Sequence, residues 1–304
     1  MLYNSVPFRD NFTFYISSIA NSFMDCCCVE IASTKEKWSR NILVLNCDCI
    51  MTSTELENYL KRIDFKATPR ASPDCMFQLQ KNHLLHVPFE NLDILLHRPI
   101  TLNANDWYKK IVENNRGGFC YELNGLFNEM LKAIGFKTHL ISCRPFNAST
   151  QTFNEEFDHL AIITTIEKNQ WLVDVGFGNF SVVPLKIEDD IEQDDGRIIY
   201  RMVDFEHSHL VQSKTHTGNW KSEYLLSEKA YDINDFALKC QYHQTSPQSH
   251  FTQNRVCSKL TATGRITLTD KKLKLTQNEH ITEIEVADEE QFRTYLKIYF
   301  HITV

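Results

Sequence analysis

Residues 116–124 read Arg-Gly-Gly-Phe-Cys-Tyr-Glu-Leu-Asn, and this stretch begins a helix that carries a cysteine in its first turn. Gly117 and Gly118 permit a close backbone approach that side chains would block. Beyond the cysteine, apolar residues recur at helical spacing; they are Leu123, Leu126, Phe127, Met130, Leu131 and Ile134. Gly135 follows where a left-handed helix cap is favoured. The pattern predicts a buried helix from Cys120 to Ile134.

Downstream of Cys120, His159 and Asp174 complete the order nucleophile, base and orienting acid. Both lie in strand-like segments, 157–163 and 171–178, and the turn at 167–170 predicts a hairpin that places them side by side. One imidazole nitrogen would then bond the carboxylate while the other faces Cys120. We expect the helix N-terminus to hold the pKa of the Cys120 thiol below the roughly 8.5 of a free thiol. Singly, each residue has an ordinary structural interpretation, but together they favour a catalytic triad.

Three separated motifs resemble those of the arylamine N-acetyltransferase family. They are Val-Pro-Phe-Glu-Asn-Leu at 87–92, the stretch at 116–124, and Asp-Val-Gly-Phe-Gly at 174–178, and the likeness runs from about Met51 to the C-terminus. The likeness is to the bacterial type, since we expect neither the insertion nor the C-terminal tail of vertebrate members in this chain. The resemblance implies an α+β multidomain fold with a helical bundle, a β-barrel, an α/β lid and a triad like that of cysteine proteases.

The resemblance also implies an activity, namely transfer of an acetyl group from acetyl-CoA to arylamines, hydrazines or arylhydroxylamines. Cys120 would be acetylated, with His159 as its base and Asp174 orienting the histidine, and kinetics would be ping-pong. Further roles follow by position: Phe89, Phe177 and Gly178 for the acceptor, Thr245 and Ser246 for CoA, and a structural pair of Glu90 and Arg116. No metal or prosthetic group is implied.

Three other functions remain open from sequence. An amide synthase of polyketide metabolism would use the same triad, and so would a thiol hydrolase. A catalytically silent binding module is the third. The two longer motifs favour acyl transfer over hydrolysis, whereas they barely separate the acetyltransferase from the amide synthase.

Composition favours a cytoplasmic enzyme, and we expect a monomer or homodimer. With 32 Lys and Arg against 39 Asp and Glu, the net charge of −7 argues against nucleic-acid binding, which needs a basic surface. No apolar run is long enough to predict a membrane span. The 10 cysteines are not spaced as a zinc site, and reduced thiols are typical of the cytoplasm.

The predicted organisation has four segments. Residues 1–50 would be an extension outside the catalytic fold, disordered or derived from an upstream start codon. The bundle would span 51–136, the barrel 137–230 and the lid 231–304. Thr52 and Glu55 are spaced as a capping box that starts the first bundle helix. The acidic stretch 188–196 is expected to be a solvated loop.

Overall fold

The structure is a computed structural model that describes residues 51–278 and 280–304. The extension predicted for residues 1–50 lies outside the described residues. The α-helices are α1 (Ser53–Arg62), α2 (Pro73–His86), α3 (Leu92–Leu95), α4 (Ala104–Tyr108), α5 (Cys120–Ile134), α6 (Ala237–Thr245) and α7 (Glu289–Tyr295). Helices α4 and α7 each continue into a π-helical turn, at Lys109–Glu113 and Leu296–Phe300. Short 3₁₀ turns occupy Ile233–Phe236 and His250–Thr252.

The strands fall into two groups along the chain. The first group is β1 (Phe89–Glu90), β2 (Lys137–Asn147), β3 (Thr152–Phe153), β4 (His159–Ile166), β5 (Asn169–Val173), β6 (Leu185–Lys186), β7 (Gln193–Asp194), β8 (Ile199–Phe205), β9 (Ser208–Lys214) and β10 (Lys221–Leu226). The second is β11 (Val256–Thr261), β12 (Gly264–Thr269), β13 (Lys272–Gln277) and β14 (His280–Glu285).

The helical bundle forms as its sequence signals predict. The Thr52 side chain accepts from the Glu55 N–H while Glu55 accepts from the Thr52 N–H, so the capping box is confirmed. Helix α5 runs from Cys120 to Ile134, and Gly135 ends it with φ 100°, a left-handed conformation. Most of α5 is buried, because it packs against both the other helices and the strands β2 and β4.

The barrel is one antiparallel sheet in the order β6-β5-β4-β2-β10-β9-β8-β7, with β3 paired to β2. Its two end strands are linked through a side chain, since the Gln193 amide bonds the Lys186 N–H at 2.7 Å and the Lys186 carbonyl at 2.9 Å. Apolar residues on the inner face form one cluster, including Ile141, Met202 and Tyr224. The sheet is therefore almost closed.

The acidic stretch is only partly the solvated loop that was predicted. The side chain of Asp195 is fully buried, where it accepts from the N–H groups of Val182, Arg197 and Ile198 and pairs with the Arg197 guanidinium at 3.1 Å. A buried carboxylate of this kind fixes the turn between β7 and β8. The other acidic residues of the stretch are exposed or half-buried.

The lid is a second sheet in the order β1-β11-β12-β13-β14. Its first strand comes from the bundle, because Phe89 pairs with Ser258 and Glu90 with Cys257. Helix α7 covers the sheet with Phe292 in a separate apolar cluster. The predicted arrangement of bundle, barrel and lid is confirmed, whereas the boundaries at residues 136 and 230 stay predictions.

Candidate active site

The loop before Cys120 is threaded tightly beside strand β1. The Gly118 N–H donates to the Pro88 carbonyl at 3.2 Å, and the Gly118 carbonyl accepts from the Glu90 N–H at 2.9 Å. A Cβ on Gly117 would lie 2.2 Å from the Pro88 oxygen, so glycine is needed at that position. The path of this loop delivers Cys120 to the first residue of α5, with 4% of its surface exposed.

A group of buried charged side chains also holds the loop before Cys120 in place. Arg116 donates to Glu90 Oε1 at 2.7 and 3.0 Å and to Asp93 Oδ1 at 3.0 Å. Lys110 binds Asp93 at 2.8 Å and Glu122 at 2.7 Å. Burial lowers the pKa of Lys110, but the three carboxylates outweigh burial and raise it, so the ammonium is charged. The structure thus brings Glu90 and Arg116 together as a pair that ties the nucleophile loop to the bundle.

His159 and Asp174 meet at the end of the β4–β5 hairpin. His159 Nε2 lies 2.7 Å from Asp174 Oδ2, and both side chains are almost fully buried. The Tyr224 hydroxyl donates to the same oxygen at 3.2 Å. Asp174 Oδ1 accepts from the Asn124 amide and from the Gly176 N–H, each at 2.9 Å. With Nε2 held by the carboxylate, the Nδ1 atom is the nitrogen left to exchange a proton.

Asn124 joins the nucleophile helix to the two strands that carry the other triad members. It lies one helical turn after Cys120, so both side chains lie on the same face of α5. Its Nδ2 donates to the Leu160 carbonyl at 2.6 Å and to Asp174 at 2.9 Å, and its Oδ1 accepts from the Val175 N–H at 2.9 Å. This role was not predicted from the sequence, although the helical spacing of Asn124 from Cys120 is a signal for it.

Gly176 brings the barrel into direct contact with the nucleophile. A Cβ at this position would lie 3.0 Å from Cys120 Cα and 2.8 Å from Asn124 Nδ2. Real Cβ atoms hardly ever show contacts this close, so the loop after Asp174 packs against Cys120 only because residue 176 has no side chain.

The surroundings of the nucleophile oppose the expected low pKa. Burial, and then the nearby Cys240, Asp158 and Asp174, raise the pKa of the Cys120 thiol, while a hydrogen bond from the Leu160 N–H acts in the other direction. The expectation of a lowered pKa was wrong, because the helix N-terminus is itself buried and desolvation disfavours the thiolate. Cys120 therefore needs a neighbouring base to accept its proton.

A single cavity of about 880 Å³ opens onto Cys120 and His159. The predicted acceptor residues Phe89, Phe177 and Gly178 all line it. Thr245 and Ser246 do not, because they end helix α6: the Thr245 hydroxyl donates to the Gln241 carbonyl, and Ser246 bonds Gln248. The residues that follow them line the cavity instead, namely Gln248, Ser249, His250 and Phe251.

A further histidine that sequence reasoning missed forms part of the cavity wall. His243 is 4% exposed; its Nδ1 lies 3.3 Å from the Ser249 hydroxyl and its Nε2 lies 3.3 Å from Asp158. Asp158 directly precedes His159 and also accepts from Asn154 at 2.7 Å. A single histidine in a short helix gives no sequence signal for this contact.

Two properties of the described residues bear on cofactors and membranes. In the residues that the structure describes, no group of three or more His, Cys, Asp or Glu side chains is arranged to hold a metal ion. Over the same part of the chain, no helix combines the length and apolar character that crossing a membrane requires.

Comparison with known proteins identifies the class. The family model described as N-acetyltransferase matches residues 74–304. An arylamine N-acetyltransferase / N-hydroxyarylamine O-acetyltransferase of Salmonella typhimurium is 31% identical over 221 residues, which is 69% of this chain and 76% of the relative. A pineal gland arylamine N-acetyltransferase of Gallus gallus is 28% identical over 277 residues, covering 82% and 94%.

Structural comparison agrees with the sequence matches. The solved structure of Mycobacterium marinum arylamine N-acetyltransferase in complex with CoA aligns with a TM-score of 0.75 at 26% identity, covering 81% of this chain and 92% of that one. The protein is an acyltransferase enzyme. It belongs to the arylamine N-acetyltransferase family. Bacterial and vertebrate members match at similar identities, so the bacterial type stays a prediction.

Proposed function

We propose that the protein transfers an acetyl group from acetyl-CoA to the nitrogen of an arylamine, hydrazine or arylhydroxylamine through an acetyl-cysteine at Cys120. The observation that carries the proposal is the shared cavity, which Cys120 and His159 both line while Asp174 holds His159 at 2.7 Å. A nucleophile, base and orienting acid in this arrangement are suited to acyl transfer.

The first half-reaction moves the acetyl group onto the enzyme. The Cys120 thiol gives its proton to His159 Nδ1 as the sulfur attacks the acetyl carbonyl carbon, and the negative charge of Asp174 stabilises the imidazolium. The bond from the acetyl carbon to the CoA sulfur then breaks, and the departing sulfur takes the proton from His159. One thioester replaces another, so the step needs little change in bond energy.

The second half-reaction moves the acetyl group to the acceptor. The amine nitrogen attacks the Cys120 thioester and loses one proton to His159, and the bond to the Cys120 sulfur breaks as that sulfur takes the proton back. The N–H of Cys120 at the start of α5 is a suitable donor to the oxyanion. The Gly176 N–H is not, because it already donates to Asp174.

The lining of the cavity suggests where the acceptor and CoA bind within it. Phe89, Phe177 and Gly178 would hold the aromatic acceptor beside Cys120. Gln248 and Ser249 line the same cavity and replace Thr245 and Ser246 as the CoA contacts that we propose. The cysteines of the described residues are free thiols, which fits the reducing cytoplasm. The partner that we propose is a small molecule, bound by a monomer or homodimer of this chain.

The test is to incubate the purified protein with acetyl-CoA alone and locate acetylation by intact and peptide mass spectrometry. We expect one acetyl group on Cys120 that 4-methylaniline then discharges. Cys120→Ala should abolish it, whereas Cys143→Ala should not, because Cys143 is equally buried but does not line the cavity. A folded protein that gains no acetyl group would refute the proposal and favour a carrier-bound donor or hydrolysis.

A further inference from the structure

A strip of three polar side chains runs along the lid wall of the cavity. Arg265 and Thr267 lie on β12, and Ser258 lies opposite Thr267 on β11. Arg265 Nη1 donates to the Ser258 hydroxyl at 3.1 Å, and that hydroxyl lies 2.8 Å from the hydroxyl of Thr267. Ser258 also pairs with Phe89 in the sheet, so the strip lies on the Phe89 side of the cavity.

Arg265 has no counter-charge among the residues that the structure describes. No carboxylate oxygen there lies within 4.0 Å of its guanidinium, and its Nε is buried without a hydrogen-bond partner. Burial, and then the nearby Arg197, lower the pKa of Arg265 to about 10, so the group is still charged at neutral pH.

Two other basic residues on the cavity wall, Lys239 and His243, differ from Arg265 in having a carboxylate nearby. Lys239 lies 2.8 Å from Glu155 and 3.5 Å from Asp158, and His243 lies 3.3 Å from Asp158. Each of these two residues therefore already has a carboxylate partner within the protein. Arg265 offers four further N–H groups beyond the one bonded to Ser258, in a planar arrangement that matches two oxygen atoms of one anion.

Arg265 is partly buried, and a partly buried cation without a counter-charge is costly, so an anion in the cavity would reduce that cost. We propose that Arg265, supported by Ser258, is a binding site for an anionic oxygen group, a carboxylate or a phosphate, of a molecule in the cavity. This inference rests on the proposed function for the identity of the molecule. The two sources are a carboxylate on the aromatic acceptor and a phosphate of CoA.

The experiment measures binding without turnover, by isothermal titration calorimetry. One pair of ligands is 4-aminobenzoate and 4-methylaniline, which differ in the carboxylate; the other is CoA and pantetheine, which differ in the phosphates. The variants are Arg265→Gln and Arg265→Lys. Arg201→Gln is the matched control, because Arg201 lies outside the cavity lining, stacked on Trp220.

For Arg265→Gln we expect Kd to rise about tenfold or more for one charged ligand, the size expected for charge-assisted hydrogen bonds. A rise for 4-aminobenzoate alone identifies the acceptor carboxylate, and a rise for CoA alone identifies the phosphate. The uncharged ligands and Arg201→Gln should show no change. Unchanged Kd values for both charged ligands, or no binding of either by the unsubstituted protein, would overturn the proposal.

Two controls separate this outcome from other failures. Neutralising a partly buried charge that has no counter-charge should not lower Tm, so thermal unfolding checks that Arg265→Gln is folded. If Arg265→Gln is not folded, Arg265→Lys is measured instead, because it keeps the charge and loses the paired N–H groups. The Kd of Arg265→Lys for the charged ligand should rise by a smaller factor. Absence of acetylation at Cys120 would refute the proposed function, while these binding measurements would still stand.

Discussion

Replacing Asn124 by alanine tests whether this side chain holds the nucleophile helix against the strands of His159 and Asp174. The change removes three hydrogen bonds of 2.6, 2.9 and 2.9 Å at a residue with no exposed surface. It leaves the Leu160 carbonyl and the Val175 N–H buried without this partner. A buried group left unsatisfied costs about 1–3 kcal/mol. We therefore expect the free energy of unfolding to fall by about 3–5 kcal/mol.

The matched control is Asn128→Ala, one turn further along the same helix. Asn128 is also buried, but it accepts from the Thr138 hydroxyl at 2.7 Å and donates to Glu129 at 3.1 Å, far along the helix from the cavity. Its partners are partly exposed, so we expect a loss of about 1–2 kcal/mol. Only Asn124→Ala should also slow acetylation of Cys120 in the folded protein, because only Asn124 contacts Asp174.

Urea unfolding, monitored by tryptophan fluorescence, measures the free energy of unfolding of each variant. The rate of single-turnover acetylation is then measured at a urea concentration where both variants are folded. The reasoning fails if Asn124→Ala loses less than about 1 kcal/mol. It also fails if the two variants acetylate at the same rate per folded molecule, since Asn124 would then be only a structural residue.

Two more substitutions probe the same region. In Gly176→Ala the new Cβ would lie 3.0 Å from Cys120 Cα. Single-turnover acetylation should therefore slow by about tenfold or more, as expected for a misplaced nucleophile. A rate equal to that of the unsubstituted protein would contradict this contact. Burial raises the pKa of Asp158, but His243 at 3.3 Å and a hydrogen bond from Asn154 outweigh burial and hold that pKa below its usual range. A carboxyl with a lowered pKa stabilises the fold above about pH 4, and that contribution is lost as pH falls through the folded value. Asp158→Asn should therefore reduce the fall in urea midpoint between about pH 4 and pH 2; parallel curves would show that Asp158 contributes nothing.

Much of the bundle and the site was predictable because its signals are local. The apolar spacing after Cys120 and the cap at Gly135 define α5, and the turn at 167–170 defines the hairpin that joins His159 to Asp174. These features depend on residues close together in the sequence. The strand β14 gave no such signal, since all six of its residues are exposed and its pattern has no buried face.

The unpredicted parts of the site depend on contacts between distant segments. Asn124 meets Val175 across 51 positions, and the Gln80 amide reaches the Ser181 carbonyl across 101. The pKa of Cys120 was predicted in the wrong direction, because local sequence shows a helix N-terminus but not how deeply the fold buries it. Sequence periodicity reports which face of an element is apolar, and it does not report what that face meets.

The attachment of the lid has a consequence for how substrates enter. Strand β11 is hydrogen-bonded to β1 of the bundle, and the Asn91 side chain bonds the Phe251 and Asn254 carbonyls and the Val256 N–H at 2.7–3.0 Å. The same strand β1 bonds Gly118, two residues before the nucleophile. A swinging movement of this sheet would break those bonds and displace Cys120. We therefore expect substrates to reach Cys120 without a step in which this sheet swings away from the bundle.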